Sequence, residues 1–176
     1  MSDVPLHADI PDLTPRNSPT DLSAHDIPHP SPFICDIAVR RNQVSRAVEH
    51  VSNIEYVRWL DRAAELHADS IGCTRQWLVE QGIMWFVARH EIDYLAEAWP
   101  EDELVIATWV RDMRKVKSWR DYVIVRLSDQ KAICRAATLW VLVDLDTRRP
   151  IRIDREMADR FKPLMPSADD VIVPRG

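Results

Sequence analysis

From Phe33 the chain alternates. Phe33, Cys35, Ile37 and Val39 fall on one side of an extended backbone, and Ile34, Asp36, Ala38 and Arg40 on the other. That two-residue period, with one side apolar, predicts a strand. After a polar loop at 42–51 the period changes. From about 53 to 70, Tyr56, Trp59, Leu60, Ala63 and His67 recur at helical spacing, while Arg58, Asp61, Arg62 and Asp69 fall mostly elsewhere. This is a long amphipathic helix. Gly72 stands just beyond it, where a left-handed residue ends a helix. "TRQWLVEQ" predicts a short second helix or turn.

Four strand segments follow: "GIMWFVARHEIDYLAEAW", "ELVIATWVRDM", "WRDYVIVRLSD" and "KAICRAATLWVLVDLD". The second alternates through Leu104, Ile106, Thr108 and Val110, and the third carries Val123, Val125 and Leu127 on one side. "MRKVKS" and "SDQK" between them are polar, as hairpin connections are. "TRRPIRI" breaks the last strand at Pro150, and a short helix at about 154–162 carries Met157 and Phe161. One helix of this length cannot bury its own apolar face. A curved antiparallel sheet of five or six strands wrapped around it can, which predicts an α+β domain.

Residues 1–32 hold seven of the twelve prolines and no regular apolar period. Proline fixes φ and removes a donor, so this part is expected as an extended or disordered tail ahead of a domain at 33–176. The length of 176 residues suits one domain plus that tail. A net charge of −5 and the lack of a basic stripe argue against nucleic-acid or anionic-membrane partners. No apolar run is long enough for a membrane span, and no basic start leads into an apolar core as in a secretory signal. Cys35, Cys73 and Cys134 are far apart and lack CxxC spacing, so neither a metal site nor a disulfide framework is expected. A reducing cytoplasm is the expected setting.

Three stretches, in this order, carry a family resemblance: "HVSNIEYVRWLDRAAE", "RHEIDYLAEAWPEDELVIATWV" and "ATLWVLVDLDTRRPIRI". From about 33 to 163 the chain resembles the hotdog-fold thioesterases, in particular the 4-hydroxybenzoyl-CoA thioesterase family and the acyl-ACP thioesterases. The resemblance implies a hotdog fold and a homodimer or homotetramer with sites at subunit interfaces. It implies a small-molecule acyl thioester of coenzyme A or an acyl-carrier protein as ligand, and no cofactor beyond that carrier. The family's loop reads Asp-x-x-Gly-His-Val-Asn-Asn. Here His50, Val51 and Asn53 match. Arg46 (or Ser45, with an insertion) stands where the family has its catalytic Asp, Glu49 replaces the Gly, and Ser52 the first Asn.

Thioester hydrolysis needs a polarised carbonyl and an activated water, and a helix N-terminus offers free N–H groups to the carbonyl oxygen. On this reading the catalytic candidates are His50, Asn53 and Glu49, with Glu49 as a displaced base. Ser52, Ile54 and Tyr56 line the substrate position, and Arg46 meets an anionic group of the ligand. The basic hairpin between Arg111 and Arg120 offers Arg114, Lys115 and Lys117 to phosphates or an acidic carrier. The plainer expectations stand beside these. Ser52 to Glu55 is also a capping box, Asp61 and Glu65 read as helix-surface charges, and His67 as a satisfied buried histidine. His90 and Glu91 have no assigned partner. Trp85, Trp109 and Trp140 read as core, although a residue can be both core and pocket wall. The competing function is a hotdog module that binds an acyl thioester without turning it over, favoured by the replaced Asp.

Overall fold

A computed structural model describes residues 11–45 and 48–165. Its strands are β1 (Leu13–Pro15), β2 (Phe33–Ile37), β3 (Ile83–Tyr94), β4 (Leu104–Arg114), β5 (Lys117–Arg126) and β6 (Lys131–Asp144). Its helices are α1 (Asn53–Ser70), α2 (Arg75–Glu80) and α3 (Arg155–Phe161). All six strands form one antiparallel sheet in the order β1-β2-β4-β5-β6-β3. This is the expected hotdog arrangement, with α1 lying in the sheet's concave face. Gly72 holds φ +77° just beyond α1. Thr74 and Asp154 cap α2 and α3 by accepting from the N–H groups of Trp77 and Met157.

The helix is buried along one stripe. Tyr56, Trp59, Leu60 and Ala63 pack against Leu104, Ile106, Tyr122, Ile124 and Cys134. At the C-terminal end of α1, Cys73, Leu78, Val110, Met113, Met157 and Phe161 close a second cluster. The opposite face of the sheet carries Val105, Ala107, Trp109, Val123 and Val125.

Of the tail expected at 1–32, residues 11–32 are described: they hold a short strand and a one-turn 3₁₀ helix at Ser23–His25, and Leu13, Leu22 and His25 are buried while most of the segment is exposed. Strand β1 adds to the sheet beside β2, with Pro15 opposite Cys35. An edge position tolerates a proline because its outward side makes no ladder bond. Arg16 pairs with Asp36, and Leu22 and Ile27 cover the outer face over Val105 and Val123. The other edge of the sheet is β3, whose outward ladder positions have no strand beside them among the described residues. Phe86, Val87 and Tyr94 are each more than 40% exposed along it.

His67 is satisfied as expected, but half-buried rather than buried. Its ring stacks on Phe33 at 5.2 Å and meets Phe161 edge-on at 6.0 Å. Its Nδ1 lies 2.9 Å from Arg120 Nη1. Burial, and then the Arg120 charge, pull its pKa down to about 3. The neutral ring therefore accepts from the guanidinium. The unfolded chain protonates this imidazole near pH 6.5 and the folded protein only near 3. The stability it confers is complete above pH 6.5 and drains away as the pH falls toward 3. Denaturant midpoints measured from pH 7 down to 4 are expected to fall, and His67→Gln to fall less steeply over the same range; parallel slopes would contradict this account.

Candidate functional site

The loop before α1 is held at its neck. Val44 and Val51 form an antiparallel bridge, and Ser45 N–H donates to His50 O at 2.8 Å. Val51, buried, donates to Ala98 O at 2.8 Å, and Ser52 N–H to Gln43 O at 2.9 Å. Gln43 is buried and its Nε2 donates to Glu55 Oε2 at 3.0 Å, while Arg58 Nη1 donates to Glu55 Oε1 at 3.0 Å. The expected capping box is therefore absent. Ser52 is the N-cap by backbone geometry, but its hydroxyl makes no cap, and Glu55 is turned away to Gln43 and Arg58. With no side-chain cap among the described residues, the N–H groups of Asn53 and Ile54 keep their donor capacity, while Glu55 N–H donates to Ser52 O at 3.0 Å.

His50 sits beside this helix end, its Nδ1 3.9 Å from Glu97 Oε1. Glu97 comes from the connection between β3 and β4. Sequence reasoning missed it, because the pairing spans two elements and only the acidic turn after β3 hints at it. Asn53 and Ile54 are exposed in the first turn of α1, and Asn53 O accepts from the Tyr94 hydroxyl at 3.3 Å. Glu49 is exposed and makes no hydrogen bond or ion pair among the described residues. Arg46 lies outside the described residues.

Two expectations change. Tyr56, expected beside the substrate, packs into the core. Only 3% exposed, it packs on Trp59 and edge-on to Tyr94, it hydrogen-bonds the Ala98 backbone, and burial pushes its phenol up to about 12. Arg114, Lys115 and Lys117 are exposed at the β4–β5 turn. That turn lies at the C-terminal end of α1, where Lys115 O accepts from Ile153 N–H. The His50 loop lies at the other end, about 27 Å along an eighteen-residue helix. Within one chain the two do not meet.

A cavity of about 410 Å³ opens between α1, β3 and the inner face of the sheet. Trp85, Trp140 and Phe161 form its aromatic walls, with Phe86 and Val87 on the β3 side and Arg120 among the polar groups. Trp85 and Trp140 are thus both packing and wall, whereas Trp109 belongs to the outer face. Asp61 and Glu65, read as surface charges, stand on the α1 wall and are both held by Arg75 at 2.9 Å. His90 Nδ1 lies 3.0 Å from Thr138 Oγ1, and Glu91 pairs with Arg89. All three cysteines are buried and free. Burial raises the Cys35 and Cys134 thiols to about 12 and raises Cys73 as well, so none is prepared as a thiolate nucleophile. Among the described residues no cluster of His, Cys, Asp or Glu could hold a metal ion.

Comparison with known proteins bears on this geometry. The family model of the thioesterase-like superfamily matches residues 35–161. The oleoyl-acyl carrier protein thioesterase of Coriandrum sativum is 26% identical over 134 residues, which cover 72% of this chain and 35% of that protein. The chain thus spans about a third of that relative's length. Among solved structures, a 1,4-dihydroxy-2-naphthoyl-CoA thioesterase from Synechocystis superposes with a TM-score of 0.69 at 18% identity, covering 75% of this chain and 96% of the other. A 12:0-ACP thioesterase from Umbellularia californica gives 0.66 at 22% identity, covering 78% and 55%. These structural likenesses establish the fold.

The hydrogen bonds at the loop's neck predict how two substitutions differ. Ser52→Ala removes no cap and should change stability by less than about 0.5 kcal/mol. Glu55→Ala leaves buried Gln43 without its partner and should cost about 1–3 kcal/mol. Denaturant unfolding of the two variants against the parent measures both, and equal losses would mean that Ser52 caps the helix after all.

Proposed function

The chain belongs to the thioesterase-like superfamily, and from that membership we propose that it hydrolyses an acyl-CoA or acyl-carrier-protein thioester at the N-terminus of α1. The observation that carries this reading is Glu97. Arg46 stands where the resembled loop has its Asp, and a carboxylate stands 3.9 Å from His50 beside a helix end whose N-cap side chain makes no cap. In this reading the N–H groups near Asn53 and Ile54 hold the thioester oxygen as it becomes an oxyanion. His50, with the Glu97 carboxylate beside its Nδ1, takes a proton from water, whose oxygen attacks the carbonyl carbon. The tetrahedral adduct collapses, the C–S bond breaks, and the imidazolium returns the proton to the leaving thiolate. Asn53 orients the water or the carbonyl. This route draws on no metal or redox cofactor, and the three buried free thiols fit a reducing cytoplasm.

The same reading includes a homodimer built on β3. A twelve-residue edge strand with exposed Phe86, Val87 and Tyr94 is a ready template for a second copy. Antiparallel pairing about a two-fold axis would set the first half of one β3 beside the second half of the other. The cavity mouth at Phe86 and Val87 of one copy would then lie near the His50 loop of the other. The basic hairpin, far from the loop within one chain, remains a candidate contact for coenzyme A phosphates or an acidic carrier protein.

Free-thiol release from short, medium, long and aromatic acyl-CoAs tests the chemistry. His50→Ala and Glu97→Gln should each lower kcat/KM by about 10²–10⁴ with folding intact, and Glu49→Gln should leave it nearly unchanged. Binding without turnover by the parent chain would favour the non-catalytic module, the reading that the replacements at Arg46 and Glu49 support. For the assembly, light scattering should give about twice the 20.4 kDa chain mass, or four times if dimers pair. Val87→Lys should shift the protein toward monomer, and a parent that runs as a monomer would exclude the β3 dimer.

A further inference from the structure

The cavity holds a charge that the proposed hydrolysis does not use. Arg120 is only 4% exposed and lines the cavity. It occupies the middle of a cross-sheet row, Val110, Arg120, Thr138 and His90, on the face that meets α1. β-bulges interrupt the register next to this row, at Arg111 in β4 and Ala88 in β3. Bulges re-aim side chains in this way beside binding sites.

Among the described residues, no carboxylate bonds to the guanidinium. Its hydrogen bonds run through Nη1 alone, to His67 Nδ1 at 2.9 Å and Thr108 Oγ1 at 3.3 Å. Both acceptors are neutral: Thr108 gives its own proton to Asp121 O, and His67 titrates far below neutrality. Phe161 adds a ring face 5.9 Å from Cζ. The acids on the cavity wall are committed or outward: Asp61 and Glu65 are held by Arg75, and Asp69 is exposed. Burial lowers the pKa of Arg120, but a guanidinium stays protonated in a protein. Nε and Nη2 therefore present donors with no protein acceptor among the described residues. Trp85 contributes a further buried N–H without a partner.

A purely hydrocarbon acyl group filling this cavity would seal those donors from water, which costs several kcal/mol for a charged group. A carboxylate would satisfy them, because the free edge of a guanidinium matches two carboxylate oxygens. The geometry points to a thioester whose acyl group ends in a carboxylate, seated between Trp85, Trp140 and Phe161 with that carboxylate on Arg120. This inference rests on the thioesterase reading for the thioester and names the acyl class that the site selects.

The experiment compares matched acyl-CoAs, adipoyl against hexanoyl and 4-carboxybenzoyl against 4-methylbenzoyl, by calorimetric binding and by thiol release. The intact chain should favour the carboxylated member of at least one pair by about tenfold or more. In Arg120→Gln that preference should fall to near parity while circular dichroism stays unchanged. Equal or better binding of the uncarboxylated members by the intact chain, or no binding of any of the four, overturns the inference. So does a preference that survives in a folded Arg120→Gln. If that variant does not fold, the preference of the intact chain alone decides. Preferential binding without thiol release would leave this inference standing and overturn the hydrolytic reading instead.

Discussion

The burial of α1 sets the terms for everything else in the molecule. Trp59, Leu60 and Ala63 are fully removed from solvent, at roughly 1.5–3 kcal/mol for each of the two larger side chains. Only a surface as long as the helix can achieve this. The sheet supplies it by giving alternate positions of β4, β5 and β6 to the helix and the intervening positions to the outer face. That face is equally apolar and needs its own cover, which the segment carrying Leu22 and Ile27 provides. The N-terminal residues are thus tied to the helix through the thickness of the sheet.

The two ends of α1 are treated differently. At the C-terminal end, α2, α3 and the β4–β5 hairpin converge in an apolar plug. At the N-terminal end the chain spends its polar groups on the loop rather than on the cap. Gln43, Glu55 and Arg58 lock the neck, and Asn53 and Ile54 keep their N–H donors. A helix end positioned rigidly from below and open above can receive developing negative charge without reorganising. That division places the candidate chemistry at the N-terminus while the cavity forms further along the same helix.

Local periodicity made most of the fold legible. The helix runs from Asn53 to Ser70, where the 3.6-residue spacing puts it, and β3 and β6 fall within their predicted segments; β4 runs one residue past its segment, to Arg114, and β5 begins two residues before its own, at Lys117, because the polar stretch between them closes as a tighter hairpin than its composition suggests. What escaped was whatever depends on a competition between partners. Ser52 and Glu55 have the spacing of a capping box, but nothing local says that Gln43 and Arg58 will take Glu55 first. Tyr56 fits a motif, yet its place on the helix stripe with Trp59 and Leu60 makes it core. Glu97 joins His50 only when the β3–β4 connection folds back over the loop. In the candidate site, the position of His50 beside the helix N-terminus was readable, and the carboxylate beside them was not.

The place of Arg120 follows from strand periodicity. Reading β5 by parity puts Val123 and Val125 on the outer face, and the same parity sends Arg120, Tyr122 and Ile124 inward. By composition Arg120 closes the basic hairpin that begins at Arg111 and carries Arg114, Lys115 and Lys117. Strand alternation outranks composition here, because a one-residue slip that exposed Arg120 would also expose Tyr122 and Ile124. The register therefore forces the guanidinium inside. Its presence there is not a requirement of packing, since an apolar residue of similar volume would serve the inner face at lower desolvation cost. A sheet that could have been uniformly apolar beneath its helix carries instead one charge among neutral acceptors, beside a cavity, and ligand recognition accounts for that charge where packing does not.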